Sequence, residues 1–201
     1  MRGLVLSGAG AAILFGASLF SPGSPRTAQR PLERLADRVQ FTGQGRLVRP
    51  ANYREWIYLS TGLGMQYGAP AGQPQKFTNV FVEPAAYHAF LANGHWPRRA
   101  VFVVEERGSS SHGSINRAGH YQTDLVGLGV EVKDAKRFAD GWAYFFFGRD
   151  DRTAAPEPKS ACWQCHNDHA AVEHTFVQFY PTLQPIARKF HTYDPRKAAS
   201  R

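Results

Sequence analysis

The sequence predicts an α+β domain, a mainly antiparallel β-sheet with flanking helices, completed late in the chain by a short helix that carries a C-x-x-C-H motif. Three observations predict it. Short runs of alternating apolar and polar residues, bounded by Gly, Pro and Asn, have the period of half-buried strands. Helical punctuation appears once clearly, with Pro84 at a start and Asn93-Gly94 at an end. No regular strand–helix alternation of the βαβ kind is visible, so the strands are expected to pair antiparallel.

In order, Met1-Arg2 followed by the uncharged, apolar stretch 3–20 reads as an export signal or an uncleaved N-terminal anchor. Residues 1–25 are assigned to that segment and its spacer, 31–193 to the domain and 194–201 to a disordered basic tail. Leu32, Leu35 and Val39 fall at helical spacing after Pro31. Asn52 to Leu59 leads into a strand, and 62–75, rich in Gly and Pro, is a loop. Residues 77–82 alternate as a strand. Glu83-Pro84 opens a helix with Tyr87, Phe90 and Leu91 on one face. Residues 100–106 form a strand, 108–114 a polar connection, and 119–123 and 125–132 two further strands. Residues 134–138 form a turn or short helix. The aromatic run 141–148 is a strand buried on both faces, and 150–160 is a linker.

The chemistry-bearing stretch is Ala161-Cys162-Trp163-Gln164-Cys165-His166, which holds both cysteines of the chain. C-x-x-C-H is the attachment signature of a c-type haem. Two thiols add across two vinyl groups on one haem edge, and the adjacent histidine lies beneath the iron as proximal ligand. Cys162 and Cys165 are thus the candidate thioether residues for one covalent haem, and His166 the candidate iron ligand. Two alternatives use the same residues. A zinc site would need two more ligands, such as His169 and His174, at an unfamiliar spacing. A redox dithiol usually accompanies a βαβ pattern, which is absent.

Aromatics make up 13% of the chain, the flat apolar groups that a haem pocket uses. The net charge of +8 comes from scattered Arg and Lys with no basic helix, which argues against nucleic acid and for an acidic redox partner or simple solubility. The export signal and the haem motif agree with each other, because c-type haem attachment in bacteria occurs outside the cytoplasm. The expected location is the periplasm.

The segments Asn52-Tyr53-Arg54-Glu55-Trp56, 132–138, Gly141-Trp142-Ala143, the C-x-x-C-H and Phe179-Tyr180-Pro181 occur in an order that resembles the cytochrome P-460 family, from about Asn52 to Leu183. The resemblance implies an antiparallel β fold, a homodimer, and one c-type haem per chain with an open distal side. It also implies hydroxylamine oxidation or, in the related β-sheet cytochromes c′, binding of nitric oxide and other small gases. Two departures bear on activity. The family's lysine that cross-links to the haem falls near Val104, and its distal glutamate near Gly129. Residues two apart on a strand share a face, so Glu106 and Glu131 are the candidate distal carboxylates.

Arg54 is a candidate positive group near the site, and Phe81, Phe102 and Phe145 are candidates for excluding water above the iron. Phe176, Phe179 and Tyr180 are candidates for a pocket wall. The expected ligands are small nitrogenous or diatomic molecules, with another periplasmic cytochrome c as redox partner. The rival reading is a six-coordinate electron carrier with Met65 or a histidine as second axial ligand.

Overall fold

The computed structural model describes residues 39–65, 72 and 74–199. The export segment and the helix expected from Pro31 lie outside the described residues, apart from Val39. The described strands are β1 (Leu47–Val48), β2 (Ile57–Leu63), β3 (Lys76–Val82), β4 (Arg99–Ser110), β5 (Tyr121–Asp134), β6 (Trp142–Gly148) and β7 (Thr153–Ala154). The helices are α1 (Pro84–Asn93), α2 (Trp163–His169), α3 (Gln184–Lys189) and α4 (Pro195–Ala199), with 3-10 turns at Tyr53–Glu55 and Val177–Phe179.

Strands β2 to β6 form one five-stranded antiparallel meander in sequence order, and β1 pairs with β7 in a small second sheet. The α+β expectation holds. The pleat sends alternate residues to opposite faces, and the two faces bury separate cores. One face packs Phe102, Trp142, Tyr144 and Val82 against the helices and the segment 172–187. Phe90 stacks on Trp96 at 4.1 Å, and Trp96 meets Phe102 edge-on at 4.7 Å. The other face packs Val101, Val103, Val130 and Phe145 with Tyr53, Trp56 and Leu47.

Helix α1 begins at Pro84, whose missing N–H costs nothing in a first turn. It ends at Gly94, left-handed at φ 74°, where a Cβ would come within 2.7 Å of Phe190 Cβ. A side chain there would be excluded both by the backbone and by the neighbour.

Several local expectations are corrected. The polar segment 108–114 is partly strand, since Ser109 and Ser110 pair with Gln122 and Tyr121. The two strands expected over 119–132 are one continuous β5, with pairing irregular beside Arg107 and Leu125. The 150–160 linker contains β7. In β6 every side chain from Trp142 to Phe147 is buried except Phe146, which is 47% exposed. The tail expected to be disordered is helical over Pro195–Ala199, where Asp194 Oδ1 accepts from Arg196 N–H and Lys197 Nζ donates to Asn167 O.

Candidate haem site

A cavity of about 310 Å³ opens between the sheet and the chain that follows β6. Its floor is one face of four adjacent strands. Val80, Val104, Gly129 and Phe146 lie side by side across β3 to β6, and Thr78 and Glu106 form the row on one side of them. Glu131 and Tyr144 form the row on the other side, also as register partners. The opposite wall is Cys162, His166, Phe176, Phe179 and Tyr180. The aromatic wall expected at 176, 179 and 180 is therefore present, and Phe179 remains 40% exposed at the mouth.

The motif helix starts after Cys162 and lasts two turns. His166 N–H bonds Cys162 O at 3.1 Å, so the first cysteine and the histidine stand one above the other on the same helix face. Cys162 and Cys165 are free thiols, half-buried, and burial pushes both above the ordinary cysteine range. They are thus neutral and unpaired.

His166 lies against Tyr144 at 4.3 Å and Phe176 at 4.6 Å between ring centres. Its Nδ1 is 2.8 Å from the His174 carbonyl oxygen, which can only accept, so Nδ1 carries the hydrogen. That bond leaves Nε2 with the lone pair a metal requires. Burial holds the His166 pKa down at about 4, although the carbonyl opposes the shift, so the ring is neutral at neutral pH.

Glu131 is the carboxylate beside it. Its Oε1 is 3.8 Å from His166 Nε2. Burial raises its pKa to about 8, so at neutral pH both groups are uncharged and their approach is not an ion pair. Glu131 Oε2 and Tyr144 Oη are buried without hydrogen-bond partners. Two orphaned oxygens on a cavity wall are costly in an empty apolar pocket and are consistent with a pocket shaped for a ligand with polar groups.

The other residues singled out in the sequence divide clearly. Glu106 lines the cavity and is paired at the rim with Lys76, 3.2 Å away. Val104 and Gly129, near which the family's lysine and glutamate are expected, both lie on the floor as neighbours. Arg54 is not at the site. Its guanidinium bonds Glu105 at 2.7 and 2.9 Å on the opposite face of the sheet, with Tyr53 as a further donor to the same carboxylate. The cause is the alternation of the strand: Glu105 points away from the cavity because Val104 and Glu106 point into it. Phe81 faces the second core beside Tyr53 for the same reason. Phe102 is fully buried against Trp96 and Trp142 and does not line the cavity. Phe145 touches the cavity's edge, but its ring packs with Phe41 and Phe138.

Met65 lines the cavity from the end of β2, its sulfur over Gly62. Of the described histidines, only His166 lines it. Among the described residues no cluster of three or more His, Cys, Asp or Glu side chains forms a metal site, and the zinc alternative lacks its ligand set. Sequence reasoning missed Tyr144 as a cavity group. The signal was available in the alternation of 142, 144 and 146 within one strand.

Cys162 and the lone-pair nitrogen of His166 line a largely apolar cavity against an antiparallel sheet, with Cys165 beside them on the same short helix but off the cavity lining, a donor set that suits a haem protein. The family model described as Cytochrome P460 matches residues 50–177, and the chain belongs to that family. Membership implies a haem cofactor. A comparison with curated proteins finds no match.

Proposed function

We propose that this chain is a periplasmic cytochrome carrying one covalent haem, with the distal iron position open to small nitrogen compounds. The observation that carries the reading is the His166 tautomer. Nδ1 is spent on the His174 carbonyl while Nε2 faces a cavity that Cys162 also lines. Cys162 and Cys165 would hold the porphyrin through thioethers, and His166 would bind its iron. Bound there, the haem supplies an iron that takes up small ligands and exchanges electrons one at a time.

The chain's own residues set what reaches that iron. Val80, Val104 and Gly129 give a short apolar floor without a nucleophile. Glu131 keeps one exchangeable proton inside the cavity, and Glu106 with Lys76 forms a polar rim. This suits uptake of nitric oxide or hydroxylamine. Oxidation of hydroxylamine would pass its electrons to an external periplasmic cytochrome and its protons to solvent, since Glu131 already holds its own proton at neutral pH. Valine at position 104 predicts no haem–lysine cross-link at that position.

Met65 supports a second reading, an electron carrier with the Met65 thioether as sixth ligand, because its side chain reaches the same cavity. Absorption spectra of the purified protein separate the two. A high-spin ferric spectrum that changes rapidly with nitric oxide, cyanide or hydroxylamine supports the open site. A low-spin spectrum indifferent to all three supports Met65 and overturns the first reading.

A further inference from the structure

The carbonyl that fixes His166 sits in an improbable turn. Glu173 and His174 are consecutive non-glycine residues at φ 41° and 65°. Val172 and Thr175 close the turn by backbone bonds in both directions, Thr175 N–H to Val172 O at 2.7 Å and Val172 N–H to Thr175 O at 3.3 Å. Positive φ at both central positions of a two-residue hairpin is the type I′ geometry, which favours Asn-Gly because larger side chains are strained there. Glu-His is a poor sequence for it, so contacts from outside the turn must hold it.

Those contacts are present. The Glu173 carboxylate accepts from Lys133 Nζ on one oxygen and from His95 Nδ1 on the other, each at 2.6 Å. Lys133 Nζ also donates to Trp96 O at 2.8 Å. The Trp96 indole N–H donates to Thr175 Oγ1 at 2.8 Å, and that hydroxyl donates to Val172 O at 2.7 Å. Strand β5 and the segment 95–96 thus grip the turn at its tip and at its base. None of these side chains lines the cavity.

We propose that Lys133, Glu173 and His95 are positioning residues, a clamp that holds the His174 carbonyl against His166 Nδ1 and so sets how strongly His166 donates to the haem iron. The inference rests on the reading of His166 as proximal ligand. An acceptor held at Nδ1 makes the imidazole more basic and favours the ferric state, whereas a carbonyl free to drift does neither.

The test uses the full haem-loaded chain. The wild-type ferrous protein must first show an iron–histidine stretching band by resonance Raman. Its absence from a ferrous protein that is five-coordinate by its absorption spectrum would defeat the assignment of His166, whatever the clamp does, and in a six-coordinate protein the midpoint potential alone reads the clamp. With that band in hand, Glu173→Gln and Lys133→Met are each expected to lower its frequency and to raise the midpoint potential, while Lys133→Arg stays near wild type. The paired change Glu173→Asn with His174→Gly supplies a turn that needs no clamp, and is expected to restore both readouts. Lys133→Met added to that pair should then shift neither. Wild-type frequency and potential in Glu173→Gln and Lys133→Met would overturn the proposal. So would failure of the Asn-Gly pair to restore them. Should Glu173→Gln fail to fold, the Asn-Gly protein with and without Lys133→Met still decides, a shift between those two counting against the clamp.

Discussion

Glu131 offers the sharpest test of the cavity's electrostatics before haem is bound. Burial raises its pKa from 4.5 to about 8 in the folded chain, so the folded state holds a proton that the unfolded state has released across that interval. Stability must therefore fall as pH rises from about 4.5 to about 8. One pKa unit corresponds to about 1.4 kcal/mol, so between pH 5.5 and 7.5 Glu131 should cost the folded state about 3 kcal/mol. His166 and His174 act in the opposite direction, because burial depresses both to about 4 and stability is lost as pH falls from 6.5 toward that value. Their contribution cancels when wild type is compared with Glu131→Gln, which keeps the shape and removes the titration. The assay is urea unfolding of the haem-free chain at both pH values. The stability of Glu131→Gln relative to wild type should increase by about 3 kcal/mol from pH 5.5 to 7.5. A difference that stays constant between the two would refute the burial argument and, with it, the protonated carboxyl in the cavity.

Three further outcomes follow from the packing. Phe102→Ala, at a site with no exposed surface, should cost about 3–5 kcal/mol in denaturant unfolding, since Trp96 and Trp142 leave the void little room to collapse. Glu105→Ala removes the shared acceptor of Tyr53, Arg54 and Arg107 and should cost about 2 kcal/mol, yet leave the haem absorption spectrum unchanged because the cluster lies on the other face. Met65→Leu should leave the ferric spectrum as in wild type. A conversion from low to high spin would instead establish the thioether as a ligand.

The sheet was legible because its strands alternate cleanly, as in 77–82 and 100–106, where pairing adds to what the residues already prefer. The misreadings arise where long-range contacts outweigh local signals. Gly108-Ser109-Ser110 resembles a connection, but β5 continues past it and supplies partners at Gln122 and Tyr121. The basic tail resembles disorder, but Asp194 N–H bonds Ala171 O and Lys197 reaches back to Asn167, which anchors a short helix.

At the site, Cys162 and His166 were readable as a pair because the motif sets them one helical turn apart, and both line the cavity, whereas Cys165 lies off its lining. Glu131 and Glu106 were readable from the parity of their strands. Arg54 was not, because its direction depends on Glu105, fifty-one residues away, facing the opposite core. Nor was the grip of Lys133 and Glu173 on the proximal turn, since Glu-His carries no turn preference of its own.

The central claim is that a haem is tied to Cys162 and Cys165 in this cavity. The most direct measurement is the intact mass of the chain purified from a host that exports and haem-loads such proteins. A mass higher by one haem, lost on substituting both cysteines by serine, is the expected result. A bare polypeptide mass from that host would contradict the account.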